Sequence, residues 1–128
     1  MFSFLLPKPS YGDKIGQSTW LLLHALADHY PLNAEEGNQY EKNITDFVIL
    51  LAQIYPCAEC RAHMTSYFQN FPPRFDNRAH AVRWVLNFHN AVNRRLGKPI
   101  FTPKDYVNRL NQYDGVVGDG LCAKCAIV

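Results

Sequence analysis

The chain has 128 residues, of which 13 are basic and 11 acidic, for a formal net charge of +2. That length fits one domain, and so even a balance of charge gives no support for nucleic-acid binding by phosphate neutralisation. No apolar run approaches the ~18 residues needed to span a bilayer, so no membrane role is expected.

The chain begins Met1-Phe2-Ser3-Phe4-Leu5-Leu6-Pro7-Lys8-Pro9. It lacks a basic region ahead of its short apolar stretch, and so matches a signal peptide poorly. Residues 1–14 read as irregular, punctuated by Pro7, Pro9 and Gly12. A first helix is expected from Ser18, a fair N-cap, to about Tyr30, with Trp20, Leu23 and Ala27 at helical spacing. A second should run from about Ala34 to Tyr55. Its three-four rhythm of Tyr40, Ile44, Phe47, Val48, Leu51 and Ile54 predicts one buried face. Pro56 ends it and suits the first position of a third helix, which opens around Pro56-Cys57 and continues to about Asn70.

Phe71-Pro72-Pro73 reads as a loop. A fourth helix is expected over Arg78 to Leu96, with Val82, Val85, Leu86, His89, Asn93 and Leu96 on one face and Gly97 as its C-cap. The basic cluster Arg94, Arg95 and Lys98 reads as the solvated end of that helix. A short fifth helix should cover Thr102 to Asn111, with Thr102 as cap and Pro103 in its first turn. Gly115, Gly118 and Gly120 then suggest a flexible approach to the last residues. The expected class is all-α: a four-helix bundle plus a short fifth helix, with a flexible C-terminal tail over 113–128.

Four cysteines form two Cys-x-x-Cys pairs, Cys57/Cys60 in mid-chain and Cys122/Cys125 near the end. A dithiol at a helix N-terminus has a physical logic, because unpaired N–H groups and the positive end of the helix dipole stabilise a thiolate. Thiolate is the reactive form in disulfide exchange. The competing reading is a zinc-binding adaptor module that uses both pairs. Zinc sites of that kind have ~15–20 residues between pairs, and a far longer stretch separates Cys60 from Cys122. A thioredoxin-like motif belongs beside a βαβ pattern, which is missing here. The ending Cys125-Ala126-Ile127-Val128 also fits a prenylation box; lipid on Cys125 would remove the second dithiol. Electron relay between two dithiols is the favoured reading.

Trp20 and His24 share one face of the first helix, four residues apart. His89, Asn90 and Asn93 gather on the fourth, with His89 and Asn93 where the rhythm expects Leu or Val. Polar side chains in a seam cost roughly 1–3 kcal/mol each without partners. A large planar ligand with polar edges would satisfy them together.

Three motifs in order carry a family resemblance. They are Ile15-Gly16-Gln17-Ser18-Thr19-Trp20-Leu21-Leu22-Leu23-His24, Tyr55-Pro56-Cys57-Ala58-Glu59-Cys60 and Phe88-His89-Asn90-Ala91-Val92-Asn93-Arg94-Arg95-Leu96-Gly97-Lys98. Residues 12 to 111 resemble the Erv/ALR sulfhydryl oxidases, and an oxidase domain over 15–112 is expected. The resemblance implies a helical bundle that cradles FAD and a homodimer usually built on the first two helices. It implies disulfide formation in thiol-containing protein substrates, with oxygen or cytochrome c as final acceptor. By position it implies FAD contacts at Gly16, Trp20, His24, His89, Asn90, Val92, Asn93, Lys98 and Arg109. Cys60 corresponds to the cysteine beside the flavin, Cys57 to its outer partner, and Cys122/Cys125 to the shuttle dithiol. Many relatives have a structural disulfide where this chain has Leu86 and Pro103, and a basic residue where it has Gln17. Members occur in the mitochondrial intermembrane space, in the secretory pathway and in viruses that assemble in cytoplasm. The poor signal peptide favours the intermembrane space.

Overall fold

A computed structural model describes residues 8–113 of the chain. The expected tail with Cys122 and Cys125, and the first part of the irregular N-terminal segment, lie outside the described residues. Five helices form: α1 (Tyr11–Asp28), α2 (Ala34–Ile54), α3 (Ala58–Asn70), α4 (Arg78–Leu96) and α5 (Pro103–Leu110). Among the described residues there is no strand, so the all-α class holds. Two compact units are distinguished, with their boundary inside α4 between His89 and Asn90.

In the first unit, α1 starts earlier than the sequence suggested. The cap is Ser10, not Ser18: the Asp13 N–H donates to Ser10 Oγ at 3.2 Å. An acidic residue in the first turn adds a favourable charge at the positive end of the dipole. Residues 11–14, expected to be irregular, are therefore helical, and Ser18 lies well inside the helix. After α1, Tyr30 is buried and its hydroxyl donates to the Gly37 carbonyl at 3.1 Å. A Cβ at position 37 would meet the Tyr30 ring at 3.4 Å, an ordinary van der Waals contact. The Arg78 Nε donates to the Tyr30 carbonyl at 2.8 Å and a terminal guanidinium nitrogen donates to the same oxygen. That pair ties the chain after α1 to the first turn of α4.

Asn33 caps α2, its Oδ1 accepting from the Glu35 and Glu36 N–H groups at 2.9 and 3.3 Å. Ile44, Val48 and Ala52 are buried, but Phe47 is 39% and Ile54 73% exposed. The apolar stripe of α2 is thus wider than this chain covers, and the expectation of a wholly buried face fails at those two residues. Leu96, placed by the rhythm on the inner face of α4, is likewise exposed, because it ends its helix.

The largest fully buried side chains are Phe75, Phe88, Leu23, Val48 and Val85. Each such burial contributes about 1.5–3 kcal/mol before conformational entropy is set against it. Tyr67, Phe68, Phe71, Phe75, Trp84 and Phe88 make a continuous run of ring contacts with centroids 5.0–6.3 Å apart. Leu86 is buried.

The second unit begins with the last turns of α4. Gly97 ends that helix in the left-handed region (φ 70°), and the Lys98 N–H donates to the Asn93 carbonyl at 2.8 Å. Thr102 then caps α5 through a reciprocal pair. The Asp105 N–H donates to Thr102 Oγ1 at 3.1 Å and the Thr102 N–H donates to the Asp105 carboxylate at 2.9 Å. Pro103 occupies the first turn, where its missing N–H costs nothing. Tyr106 is the buried anchor of α5.

Candidate functional site

The first dithiol sits where the sequence placed it, one residue finer than expected. Cys57 is the N-cap of α3, in an extended conformation (φ −164°, ψ 111°), and Ala58 is the first helical residue. Its sulfur takes the place of a capping oxygen: the Cys60 N–H donates to Cys57 Sγ at 3.2 Å. Pro56 has no N–H to compete for that role and sets the chain to enter the helix. Both cysteines are partly exposed. A hydrogen bond from the Cys60 thiol, and then the Cys60 peptide N–H, pull the Cys57 thiol below its ordinary range. Desolvation and the Glu59 carboxylate push the other way and lose. The thiolate of Cys57 is therefore more populated near neutral pH than that of an unperturbed cysteine. Glu59 in turn approaches His63 at 3.7 Å, one turn along α3.

Tyr55 stands beside this dithiol. Its phenol is pushed up, first by burial and also by the two cysteine sulfurs, while a hydrogen bond with Thr19 pulls it down. Gly16 faces the same hydroxyl: a Cβ at Gly16 would lie 3.8 Å from it. Gly16 of α1 is thereby connected to the dithiol through Tyr55. The Tyr55 carbonyl accepts from the Cys57 N–H at 2.7 Å and also from the Arg61 guanidinium.

The imidazole and indole groups gather as the sequence suggested. Trp20 and His89 stack nearly parallel, with ring centroids 4.2 Å apart and an interplanar angle of 9°. Buried His24 joins His89 through a hydrogen bond of 2.9 Å between Nε2 and Nδ1. One imidazole donates and the other accepts, so at least one of the two rings is neutral. Phe88 meets Trp20 edge-on at 4.8 Å. The result is a plate of flat rings with hydrogen-bonding nitrogen at its edge.

In the second unit, Asn90 does something the sequence did not suggest. Its Nδ2 donates to the Phe101 carbonyl at 2.7 Å, and its Oδ1 accepts the Phe101 N–H at 2.9 Å. The amide thus pairs with both main-chain groups of one residue. Buried Asn93 donates weakly to the same Oδ1, at 3.4 Å. Val92 is half-buried beside it in sequence, Lys98 is exposed, and exposed Arg109 lies over the Phe101 ring at 4.6 Å from its centroid. Phe101 is therefore the hub of this unit, gripped through its main chain by Asn90 and through its ring by Arg109.

Sequence reasoning missed three residues. Tyr55 carries no sequence signal of its own beyond the motif, yet its hydroxyl lies near Gly16 and its phenol interacts with both cysteine sulfurs. Arg61 follows Cys57 by four residues, a spacing from which a long side chain reaches back over the helix start. Phe101 carries no local signal, because its partners come from two different helices.

Comparison with known proteins gives a consistent result. The family model for the Erv1 / Alr family matches residues 17–113. An FAD-linked sulfhydryl oxidase ERV1 from Oryza sativa subsp. japonica is 33% identical over 93 residues, covering 73% of this chain and 47% of its own length. An FAD-linked sulfhydryl oxidase of African swine fever virus is 30% identical over 97 residues, covering 76% of this chain and 80% of its own. The chain thus spans about half the length of the plant and yeast relatives it matches. Among solved structures, the yeast Erv1 core superposes with a TM-score of 0.69 at 31% identity, over 81% of this chain and 86% of that one. With the matched region covering most of its residues and the helical architecture shared, this chain belongs to the Erv1 / Alr family.

Proposed function

We propose that this chain is an FAD-linked sulfhydryl oxidase that converts paired thiols of protein substrates into disulfides. The observation that carries the reading is Cys57 at the N-cap of α3. Its sulfur accepts the Cys60 N–H, and its thiol is held below the ordinary range, in a chain of this family. Plant, yeast and viral relatives share the description FAD-linked sulfhydryl oxidase, which favours the oxidase over the zinc adaptor.

Residues of each unit, taken separately, suit parts of FAD, a ligand of two planar ring systems with polar edges and a diphosphate. Trp20 and His89 offer flat faces, His24 and His89 offer ring nitrogen, and Gly16 leaves room beside Tyr55. Asn93 offers an amide, Lys98 and Arg109 offer positive charge, and Val92 an apolar contact. Asn90, whose amide is engaged by Phe101, belongs to this set as the residue that fixes the segment after α4. When bound, the flavin supplies a two-electron acceptor for the dithiol, restored by oxygen (giving hydrogen peroxide) or cytochrome c.

The chain's own residues divide the rest. Substrate thiols reduce the Cys122–Cys125 disulfide by exchange. A thiolate of that pair then attacks Cys57 Sγ; the Cys57–Cys60 bond breaks and Cys60 leaves as thiolate. The second tail thiolate attacks its bonded neighbour, the Cys122–Cys125 disulfide re-forms, and Cys57 leaves as thiolate. Two electrons reach Cys57/Cys60 and two protons go to solvent. The Cys60 N–H that donates to Cys57 Sγ favours departure of Cys57 as thiolate in the last step. Cys60, in the first turn of the helix, would be the sulfur that passes electrons to a bound flavin, as the family resemblance implies.

A homodimer on α1 and α2 accounts for their uncovered apolar residues, among them Leu21, Leu22, Phe47, Leu50 and Ile54. Relatives in fission and baker's yeast are described as mitochondrial, which supports the intermembrane space as the location. The viral relatives support a viral or host cytoplasm as the second choice.

The test is direct. Purified chain should be yellow with a flavin spectrum and should produce peroxide from dithiothreitol and oxygen. Cys60→Ser should keep the colour and lose the turnover; a colourless protein, or undiminished turnover in that variant, overturns the reading. Changing Cys122 and Cys125 together to Ser should spare dithiothreitol oxidation and slow protein oxidation, whereas equal loss of both rules out a shuttle. A lipid on Cys125, seen by mass spectrometry, rules it out too.

A further inference from the structure

Arg61 is not explained by α3 as a helix. It lies directly after Cys60, half-buried, and its guanidinium does not pair with an acidic neighbour on its own helix. It turns back over the start of α3 and donates to the Tyr55 carbonyl. That carbonyl also accepts the Cys57 N–H at 2.7 Å, so two donors converge on one oxygen. The Arg61 N–H donates in addition to the Cys57 carbonyl at 2.9 Å. Arg61 thus holds the peptide units on either side of Pro56-Cys57, one by its side chain and one by its main chain.

The segment is also anchored at its start, where the Tyr55 N–H donates to the Leu51 carbonyl at 2.9 Å and the Tyr55 hydroxyl bonds Thr19. Pro56 fixes its own φ but donates nothing. Cys57 adopts an extended conformation outside the helix, and only in that conformation does its sulfur receive the Cys60 N–H. Rotation of the Tyr55–Pro56 segment would carry Cys57 Sγ away from that donor. Hydrogen bonds from ionised donors are about twice as strong as neutral ones, and one on this carbonyl resists such rotation.

We infer that Arg61 is a positioning residue for disulfide exchange: through the Tyr55 carbonyl it holds Cys57 at the N-cap of α3, where the outer sulfur receives the helix N–H. The inference rests on the proposal that Cys57/Cys60 is the exchanging dithiol. The clamp acts by geometry, because the guanidinium reaches the sulfur only through the intervening peptide. The charged or titratable groups around Cys57 are Cys60, Glu59 with its neighbour His63, Tyr55 and Arg61 itself.

The experiment uses the full-length, flavin-loaded chain, reduced anaerobically and treated with iodoacetamide between pH 6 and 9. Alkylation is read at Cys57 by peptide mass spectrometry. Arg61→Ala should slow modification of Cys57 at pH 7 by about fivefold and move its pH profile upward, through loss of the cap bond to the thiolate. Arg61→Gln, which keeps a neutral donor on a shorter stem, should recover at least half of the lost rate, and Arg61→Lys most of it. Unfolding midpoints taken in parallel separate this from a loss of fold. A wild-type profile in Arg61→Ala overturns the inference. So does an Arg61→Gln variant as slow as Arg61→Ala while Arg61→Lys is normal, since charge alone would then suffice. Should Arg61→Ala not fold, Gln and Lys are compared with the unchanged chain: a Gln variant about fivefold slower while Lys is normal overturns the inference. Peroxide production by the unchanged chain tests the oxidase reading separately, so a failure of one is not mistaken for a failure of the other.

Discussion

The His24–His89 pair and the Asn90–Phe101 pair look alike in sequence and differ in what they leave available. Both involve polar side chains of α4 that reach a partner distant in sequence. In the first, two imidazoles bond each other, side chain to side chain, at 2.9 Å and Trp20 stacks on one of them. In the second, the Asn90 amide is taken up by both main-chain groups of Phe101. A polar residue in a seam is thus a binding group only when its partner is another side chain that a ligand can share. When its partner is a peptide unit, it is a staple.

That contrast is open to mutation. His89→Ala should weaken FAD binding at least tenfold, because it removes both the stacking face and the partner of His24. The midpoint of unfolding of the flavin-free chain should move only a few degrees. Flavin fluorescence titration gives the first quantity and thermal unfolding the second; a large fall in apo stability with unchanged affinity would reverse the assignment. Asn90→Ala should do the opposite. Losing two part-buried bonds to Phe101 should cost about 1–3 kcal/mol in urea unfolding of the flavin-free chain, with FAD affinity falling only as the segment after α4 loosens.

Smaller effects come from the caps. Thr102→Ala should cost α5 about 1 kcal/mol. Asp105, its reciprocal partner, has its carboxyl pulled below the usual range, first by the Thr102 N–H and then by the Thr102 hydroxyl. A depressed carboxyl contributes stability that is complete above its unfolded pKa and is lost as pH falls through the folded one. Acidification through the carboxylate range should therefore loosen α5, and Asp105→Asn should remove part of that sensitivity. Hydrogen exchange of the Thr102 to Tyr106 amides at several pH values would show it.

Much of this was legible from residue order alone. Gly97 followed by Pro99 gave the end of α4, and the apolar rhythm from Val82 gave its beginning, both as found. The start of α2 at Ala34 is as expected, and the structure supplies its reason in the Asn33 cap before two glutamates. The start of α1 was misread because Ser10 and Ser18 are equally good caps in isolation; Asp13, three residues after Ser10, decides between them. Phe47 and Ile54 could not be sorted, because helical rhythm marks an apolar stripe without saying what covers it. Trp20, His24, His89 and the dithiol were visible because their residue types are costly where the periodicity puts them. Arg61 and Phe101 were not, because what they hold is backbone, and backbone partners leave no mark in side-chain patterns.

The central claim is that Cys57 and Cys60 deliver electrons to a flavin bound by this chain. Anaerobic addition of one equivalent of dithiothreitol per flavin, followed in the visible spectrum, tests it most directly. The flavin band should bleach in the wild-type chain and persist in Cys60→Ser over the same interval. Bleaching at the same rate in both would contradict the claim, because the flavin would then be reduced without this dithiol.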